Sequence, residues 1–375
     1  MQQSIILTIN TGSSSVRLSA FATGQGELLP LAREHFDSHA GAPEELLRAF
    51  LHAHELKIVT AVAHRIVHGG ARFAAPTRLD AEAERAIGEL SQLAPLHNPR
   101  ALRWIAAARA VLSDAVLQVG VFDTAFYAQL PTVAATYALP RELCRKHGIR
   151  RFGFHGLAHS AMNWRWRQLR PEVEGGGRVI SLQLGSGCSI TAIARGAVQD
   201  TSMGFSPLEG LVMATRSGDV DAGVLTYLQR VEKLSPDEVE SLLNTSSGLL
   251  GVSAISGDMR VLLESDDPRA ALAVELFCYR ARKYLGAYLA VLGGADAVLF
   301  GGGMGENAAP VRERILSGLE WCGLILDRAA NAATTGCEAR ISAPESHIEV
   351  WVVPVDEATT LAQEAVTVLR HAEKL

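Results

Sequence analysis

The segment Ile5–Phe21, IILTINTGSSSVRLSAF, constrains the fold of this chain more than any other. An apolar run of strand length ends at Asn10, a turn of Gly and Ser follows, and apolar residues then alternate with polar ones as in a half-buried strand. Such a turn brings backbone N–H groups and small hydroxyls together, as a phosphate requires. The segment is neither a P-loop nor a dinucleotide fingerprint, because GK[ST] and GxGxxG are missing and a strand comes next.

A strand–turn–strand phosphate hairpin with a cation at Arg17 is typical of the superfamily of sugar kinases, actin and heat-shock chaperones, although ordinary surface hairpins also carry Gly and Ser. Val179–Gly196, VISLQLGSGCSITAIARG, repeats the design. Two such hairpins predict a duplicated domain with a cleft between the copies, with chance resemblance as the alternative. Pro171–Gly177, PEVEGGG, then reads as the linker before the second copy.

The second half of the chain adds a long helix and two strands to this α/β pattern. Ala297–Phe300 reads as a buried strand before GGGMGEN, and Val350–Val355 as a final strand before a C-terminal helix that packs back on the first copy. The helical periodicity of Pro268–Leu292 runs through Leu272, Leu276, Tyr279, Leu285 and Leu292.

Composition excludes several classes of protein. A chain of 375 residues is long enough for two domains. A net charge of −5 without a basic run argues against nucleic acid, so local cations must hold any anionic substrate. Five Cys without a CxxC pair fit free thiols in a reducing cytosol. We expect a cytoplasmic protein, since neither a signal-peptide pattern nor a membrane-spanning apolar run occurs.

Several loop motifs place charge beside apolar strands. Asp123, in VFDTAF, is expensive to bury unless it is paired or bound to metal, so it is a functional candidate, with an Arg-paired structural role as the alternative. Arg216 suits two-point binding of phosphate or carboxylate. His64 and His68 fit hydrogen-bonded core residues better than zinc ligands, because no third ligand is near. With Arg65, His97 and His155, these loops suit an anionic transferring group.

In their order along the chain these segments resemble the acetate kinase family of acyl-phosphate-forming kinases. The matching motifs are TINTGSSS, HRIVHGG, LAPLHNP, VFDTAF, GIRRFGFHG, DTSMGFSPLEGL, TRSGDVD, SGLLGVSAISGDMR, GAYLAVLGGADAV and GMGEN. The resemblance implies two related ribonuclease-H-like (actin-like ATPase) lobes around a central nucleotide cleft. Residues 1–150, with 358–375 packed back on them, would form the N-terminal lobe, and 151–357 the nucleotide-binding lobe.

The resemblance also implies Mg²⁺-dependent, reversible, in-line phosphoryl transfer from ATP to acetate, giving acetyl phosphate and ADP, in a homodimer. The implied catalytic residues are Arg65, His97, Asp123, His155 and Arg216, and Arg65 also binds the substrate. The implied pocket for the acetate methyl is Val67, Leu96, Phe154 and Pro207. Asn10 and Glu357 would hold the metal. The implied nucleotide-binding residues are Ser13, Ser15, Arg17, Gln183, Leu184, Gly185, Ser186, Gly187, Asp258, Met259, Arg260, Gly303, Met304, Gly305, Glu306 and Asn307.

The chain departs from the family pattern at several places. Arg17 stands where members usually carry Lys, and QLGSG (183–187) stands for HLGNG. Leu157 and Ala158 replace two hydroxyl residues of GFHGTSH, and the segment between Phe21 and Ala61 is short. These changes affect residues expected to bind phosphate and the shape of the first lobe. The resemblance therefore does not determine the rate or the phosphoryl donor. The alternatives are a propionate or butyrate kinase, an acyl kinase with another donor such as pyrophosphate, and a non-catalytic nucleotide-binding regulator or filament former.

Overall fold

The computed structural model describes residues 4–12, 15–24, 27–37 and 40–372. They form two compact units. Unit 1 combines the chain up to Ala128 with Phe154–Leu157 and the chain from Asp356 onward, and unit 2 comprises Gln129–Gly153 and Ala158–Val355. Among the described residues no helix is both long and apolar enough to cross a bilayer.

The strands form one mixed sheet in each unit. Unit 1 contains β1 (Ser4–Thr11), β2 (Ser15–Gly24), β3 (Glu27–Asp37), β4 (Val59–Ile66), β5 (Thr77–Arg78) and β6 (Leu117–Phe122), in the order β3-β2-β1-β4-β6-β5. Unit 2 contains β7 (Arg178–Leu184), β8 (Cys188–Ala194), β9 (Ala197–Thr201), β10 (Ala297–Gly301), β11 (Ala339–Arg340) and β12 (Glu349–Val352), in the order β11-β12-β10-β7-β8-β9.

The two sheets have the same topology. In unit 1, β2 pairs antiparallel with β1 and β3, β4 pairs parallel with β1 and β6, and β5 closes the sheet antiparallel to β6. In unit 2, β8, β10 and β11 make the corresponding antiparallel, parallel and antiparallel pairings. Each predicted glycine–serine hairpin forms the first two strands of its sheet in chain order, β1–β2 in unit 1 and β7–β8 in unit 2. This architecture is the two-lobed α/β fold that the sequence predicts.

Helices connect and cover the strands. In chain order they are α1 (Pro43–Ala53), α2 (Ala81–Glu89), α3 (Asn98–Leu112), α4 (Thr132–Ala135), α5 (Arg141–His147), α6 (Gly156–Leu169), α7 (Ala222–Val231), α8 (Pro236–Thr245), α9 (Gly248–Ser253), α10 (Met259–Leu263), α11 (Pro268–Leu292), α12 (Gly302–Asn307), α13 (Ala309–Leu316), α14 (Arg328–Ala333) and α15 (Glu357–Ala372). Short 3-10 helices cover Leu90–Gln92, Asp123–Tyr127, Glu174–Gly176 and Glu320–Cys322.

Helix α11 has the predicted bounds, but its buried face differs from the predicted one. Asp267 caps its first turn by accepting from the Arg269 N–H, and Gly293 ends it in the left-handed conformation. Leu272 and Tyr279 are 61% and 56% exposed, whereas Leu285 is buried as expected. Alanines form much of the face that is buried in the structure, and they stand out less in a hydropathy pattern than large apolar residues do. The periodicity of the large apolar residues therefore predicted a different buried face. That face is Ala270, Ala273, Val274, Phe277, Cys278, Ala281, Leu285, Tyr288 and Leu289.

Alternation along β1 determines what each face of the first sheet covers. The face carrying Leu7 and Ile9 packs with buried residues of α1 and α3. The face carrying Ile6 packs with the apolar side of α15. Since side chains alternate along a strand, Thr8 and Asn10 belong to the second face, beneath α15. The functional cluster of unit 1 lies at the end of this second face.

Candidate active site

Three neighbouring strands of unit 1 each carry a polar residue at or next to their carboxyl end, on the face beneath α15. The alternation that buries Ile6 on β1, Ala61 and Ala63 on β4, and Val119 and Val121 on β6 continues to Asn10, Arg65 and Asp123, respectively. Because β1, β4 and β6 are parallel, their carboxyl ends meet at one edge of the sheet. Ligands of open α/β sheets bind outside this edge.

Arg65 is the centre of the resulting cluster. Its Nη2 lies 2.8 Å from Asp123 Oδ2, and its Nε contacts the same carboxylate at 3.2 and 3.3 Å. Its Nη1 donates to Asn10 Oδ1 and to Glu357 Oε2, both at 3.2 Å. Asn10 Nδ2 donates to Glu357 Oε2 at 2.6 Å, which joins β1 to the first residue of α15. The arginine pairing that the sequence left as an alternative for Asp123 is therefore present.

The cluster is desolvated and holds one guanidinium against two carboxyl groups. The Asp123 side chain is 0% exposed, and those of Arg65 and Glu357 are each 12% exposed. Burial raises the pKa of Asp123, and the Arg65 guanidinium opposes that rise. For Arg65, burial works against the charge, but the Asp123 and Glu357 carboxylates outweigh it and raise the pKa. The guanidinium is thus fixed in place and permanently charged.

The segment Phe154–Leu157 packs against Asp123 and its neighbours. Tyr127 Oη donates to the Phe154 carbonyl at 2.7 Å, and the Leu157 N–H donates to Asp123. His155 has a left-handed φ of 57°, a conformation that costs energy for a non-glycine residue and occurs often at functional sites. Leu157, one of the departures from the family pattern, is buried in the core between the sheet and α15.

Gly156 must lack a side chain at this contact. A Cβ there would overlap the Asp123 carbonyl oxygen and press on Phe126. We expect Gly156→Ala to displace the His155 segment, to lower the free energy of unfolding by about 1–3 kcal/mol and to reduce activity. Gly286→Ala in α11 is the matched control, since nothing lies within 4 Å of a Cβ there. Chemical denaturation checks both variants, and equal stability of the two would contradict the close approach.

Asn98 connects the motif LAPLHNP to the backbone of His68 in HRIVHGG. Its Oδ1 accepts from the His68 N–H at 3.1 Å, and its Nδ2 donates to the His68 carbonyl at 3.0 Å. This holds His97, the residue before α3, beside the end of the HRIVHGG motif. Asn98 was not among the predicted site residues, although its position directly after His97 in a distinctive motif was a usable signal. His64 and His68 are hydrogen-bonded residues, to Gln118 and to the Gly70 N–H.

The residues predicted for an apolar pocket differ in exposure. Val67 is 7% and Phe154 1% exposed, and the Phe154 ring meets the His68 ring edge-on at 5.4 Å. Leu96 is 51% exposed in its loop. These residues lie in unit 1, and Pro207 lies in unit 2.

At the first hairpin, Ser13 lies outside the described residues. Ser15 begins β2, and its carbonyl accepts from the Gly12 N–H at 2.8 Å. Arg17 is opposite Asn10 in the strand pairing, so it shares the face of the cluster, where it is exposed. Arg100 Nη1 donates to the Gly12 carbonyl at 2.8 Å, so a second arginine supports this turn. Nothing in the sequence analysis singled out Arg100.

The second hairpin presents its turn in unit 2. The Gly185 N–H donates to the Gly187 carbonyl at 3.1 Å, and the Ala214 N–H donates to the Ser186 carbonyl at 3.0 Å. The latter bond ties the turn to the loop that carries Arg216. Leu184 is buried at the end of β7. The Gln183 side-chain oxygen is buried without a hydrogen-bond partner among the described residues, so this amide has capacity left for a ligand.

Arg216 is a partly buried cation held by neutral groups. Its Nη1 donates to the Pro207 carbonyl at 3.0 Å and lies 3.8 Å from Met213 Sδ. Burial lowers the pKa of Arg216, with a small opposing effect from Cys188. Within the described part of the chain no ion pair includes Arg216. A desolvated guanidinium without a carboxylate partner is suited to an anionic ligand.

The remaining predicted nucleotide residues fall in two short helices of unit 2. Asp258 caps α10 and pairs with Arg260 at 2.6 Å, while the Met259 side chain is buried. Glu306 in α12 accepts from the N–H groups of Gly302 and Val355 at 2.9 and 3.1 Å. The other members of α12 in the predicted set are Gly303, Met304, Gly305 and Asn307.

Two α/β units of matching topology, with a polar cluster at the carboxyl edge of the unit 1 sheet, define an actin-like two-lobed fold. The family model described as the Acetokinase family matches residues 31–363. An acetate kinase of Solibacter usitatus is 51% identical over 315 residues, which cover 83% of this chain and 76% of that protein.

Two crystal structures resemble the whole chain. The acetate kinase of Porphyromonas gingivalis has a TM-score of 0.87 at 36% identity, covering 98% of this chain and 100% of that one. A propionate kinase of Francisella tularensis has a TM-score of 0.88 at 34% identity, covering 97% and 99%. The chain belongs to the acetokinase family, and it is a phosphotransferase with a carboxyl group as acceptor.

Proposed function

We propose that this protein transfers the terminal phosphoryl group of ATP to acetate, reversibly, to give acetyl phosphate and ADP. The observation that carries the proposal is the Arg65 guanidinium, which Asp123 and Glu357 fix at the carboxyl edge of β1, β4 and β6. A cation oriented in this way can bind a small carboxylate, and the buried Val67 and Phe154 supply apolar surface for its methyl group.

The chemistry needs charge neutralisation more than proton transfer. A carboxylate is already ionised at neutral pH, so the acceptor needs no strong general base. Two anions must instead be aligned, while charge on the equatorial oxygens of the transferring group is neutralised. We assign that neutralisation to Arg216 and to donors from His155 and His97. Asp123 then acts by holding Arg65 and by shaping the metal site, and it does not accept a proton.

A divalent metal fits the oxygen donors of the unit 1 cluster. Mg²⁺ takes hard oxygen ligands and is commonly bound through one or two carboxylates together with substrate phosphates. Asn10 offers an amide oxygen, and Asp123 and Glu357 offer carboxylates within one hydrogen-bonded group. Among the described residues no group of three or more His, Cys, Asp or Glu could bind a metal by itself. Asn10 and Glu357 would hold Mg²⁺ with Asp123 nearby, and the ion would supply positive charge to the phosphates.

For the nucleotide we retain the predicted residues as a proposal. The two glycine–serine turns would face the phosphates, and α10 and α12 would border adenine and ribose. Spare hydrogen-bonding capacity at Gln183 supports this assignment for the second turn.

The main alternative is a kinase for a longer acid, which the similarity to a propionate kinase supports. One methylene changes discrimination by only about 1–3 kcal/mol, so we expect acetate and propionate to compete. The test is hydroxamate trapping of acyl phosphate with acetate, propionate or butyrate, each with ATP and with pyrophosphate. We expect product with ATP and the highest kcat/KM for acetate. Absence of acyl phosphate from every pairing would overturn the proposal.

We also propose a cytoplasmic homodimer. The cysteines of the chain are free thiols in the structure, which suits a reducing compartment. Helix α7 exposes Val224, Tyr227 and Val231, 46%, 53% and 49% exposed, at spacings that place them on one side. Light scattering should give twice the 40.1 kDa chain mass, and Tyr227→Glu should shift it towards the monomer. A monomeric wild-type protein would contradict this proposal.

A further inference from the structure

Glu209 lies in the loop between β9 and α7 and is held by two side chains of unit 2. Arg151 Nη2 contacts its Oε1 at 2.6 Å, and Tyr137 Oη donates to its Oε2. The Tyr137 oxygen in turn accepts from the Phe205 N–H at 2.9 Å. The side chains of Arg151 and Glu209 are only 17% and 32% exposed, so this is a partly desolvated network and not a surface ion pair.

The network packs closely against the loop at Gly204. A Cβ at Gly204 would overlap both Glu209 Oε2 and Tyr137 Oη. Arg151 Nη1 also donates to the carbonyls of Thr201 and Ser202 at 3.1 and 3.2 Å, so it binds the start of the loop as well as Glu209. Burial alone would lower the pKa of Arg151, but the Glu209 carboxylate together with the Tyr137 and Tyr288 hydroxyls outweighs it, and the pKa is raised.

A second anchor fixes the end of the loop. The Gly210 N–H donates to Asp219 Oδ1 at 2.8 Å, and the Asp219 N–H donates back to the Gly210 carbonyl at 3.0 Å. Tyr284 Oη donates to Asp219 Oδ2 at 2.7 Å. Pro207 lies between Phe205 and Glu209, the two loop residues that Tyr137 binds, and its carbonyl accepts from Arg216. The position of Pro207 therefore determines one of the contacts that orient the Arg216 guanidinium.

We propose that Glu209 is a positioning residue for phosphoryl transfer: with Arg151 and Tyr137 it fixes the Pro207 carbonyl, and through it the direction of Arg216. The inference rests on the proposed function, in which Arg216 neutralises the transferring group. Glu209 itself touches neither substrate nor nucleotide in this account. A substitution of Glu209 must therefore change activity through Arg216. A substitution of a residue that only stabilises the unit would not depend on Arg216.

Glu209→Gln tests the proposal, because it keeps the shape of the side chain and removes its charge. We expect kcat to fall by up to about 10²-fold, with little change in the KM for ATP. In an Arg216→Ala background the same substitution should cost no further activity, since residues that act as a unit are not additive. Glu338→Gln is the control, because Glu338 makes a 2.6 Å pair with Arg165 in the same unit, and its kcat should match the wild type.

Tyr137→Phe provides a milder variant if Glu209→Gln does not fold, and it should change kcat in the same direction. Amide hydrogen exchange of the peptide 211–219 gives a readout without turnover: exchange should rise in Glu209→Gln and stay unchanged in Glu338→Gln. An unchanged kcat and exchange rate in Glu209→Gln, or full additivity with Arg216→Ala, would overturn the inference. A wild-type protein that forms no acyl phosphate would instead overturn the proposed function. The exchange experiment would still show whether Glu209 controls the order of the segment that carries Arg216.

Discussion

Arg216→Ala is expected to lower the rate of acyl phosphate formation by about 10²–10³-fold while the affinity for ATP stays nearly unchanged. Arg216 is partly buried, it contacts the neutral groups of Pro207 and Met213, and no described carboxylate pairs with it. A cation without a carboxylate partner stabilises the transition state most, because negative charge then spreads over the transferring phosphoryl group. Its loss therefore affects the transition state more than the bound nucleotide.

Steady-state kinetics with hydroxamate detection and calorimetric titration of ATP would measure both effects. Arg216→Lys keeps the charge without the planar fork, so its activity should lie between those of the wild type and Arg216→Ala. Arg165→Ala, on the surface of the same unit, is the control and should behave as the wild type. A rate for Arg216→Ala close to that of the wild type would remove Arg216 from the catalytic set.

Arg65→Met is expected to lower the free energy of unfolding by about 3–5 kcal/mol and to abolish detectable activity. The substitution leaves the fully buried Asp123 carboxylate without its cation and removes the partner of Glu357. It also removes the group that we assign to the substrate carboxylate. Urea denaturation and the hydroxamate assay would measure the two losses independently.

A double variant separates these two roles of Arg65. Arg65→Met with Asp123→Leu removes both buried charges, so part of the stability should return while activity stays absent. The control is Arg109→Met, since the Arg109–Glu84 pair has a similar 2.7 Å separation but side chains 27% exposed. Its loss should cost no more than about 1 kcal/mol. Activity in the double variant would contradict the substrate role of Arg65.

Local sequence was sufficient for the elements that bury regular apolar patterns. The two hairpins, α11 and β10 follow from alternation, helical period and end signals within short windows. β3 was missed because ELLPLAREHFD contains Pro30 and several charged residues, which is the pattern of a loop. Such a segment forms a strand only at a sheet edge, where β2 supplies its partners and the register shifts beside Pro30. The two-residue strands β5 and β11 likewise depend on their partners.

The members of the unit 1 cluster could be predicted, but their connections could not. Resemblance assigned Arg65 to substrate and Asn10 with Glu357 to metal, whereas the structure joins these residues to Asp123 in one hydrogen-bonded group. Asn10 and Glu357 are 347 positions apart, so only the packing of α15 on the sheet brings them together. The alternation on β1, β4 and β6 was a usable signal once the parallel order of these strands was known.

Phosphorus NMR of the wild-type protein with ATP, Mg²⁺ and acetate labelled with heavy oxygen in its carboxyl group tests the central claim most directly. If the carboxylate attacks the terminal phosphorus, acetyl phosphate must appear together with ADP, and its phosphorus signal must carry the isotope shift of a labelled bridging oxygen. Formation of ADP and inorganic phosphate without acetyl phosphate, or no consumption of ATP, would contradict the account.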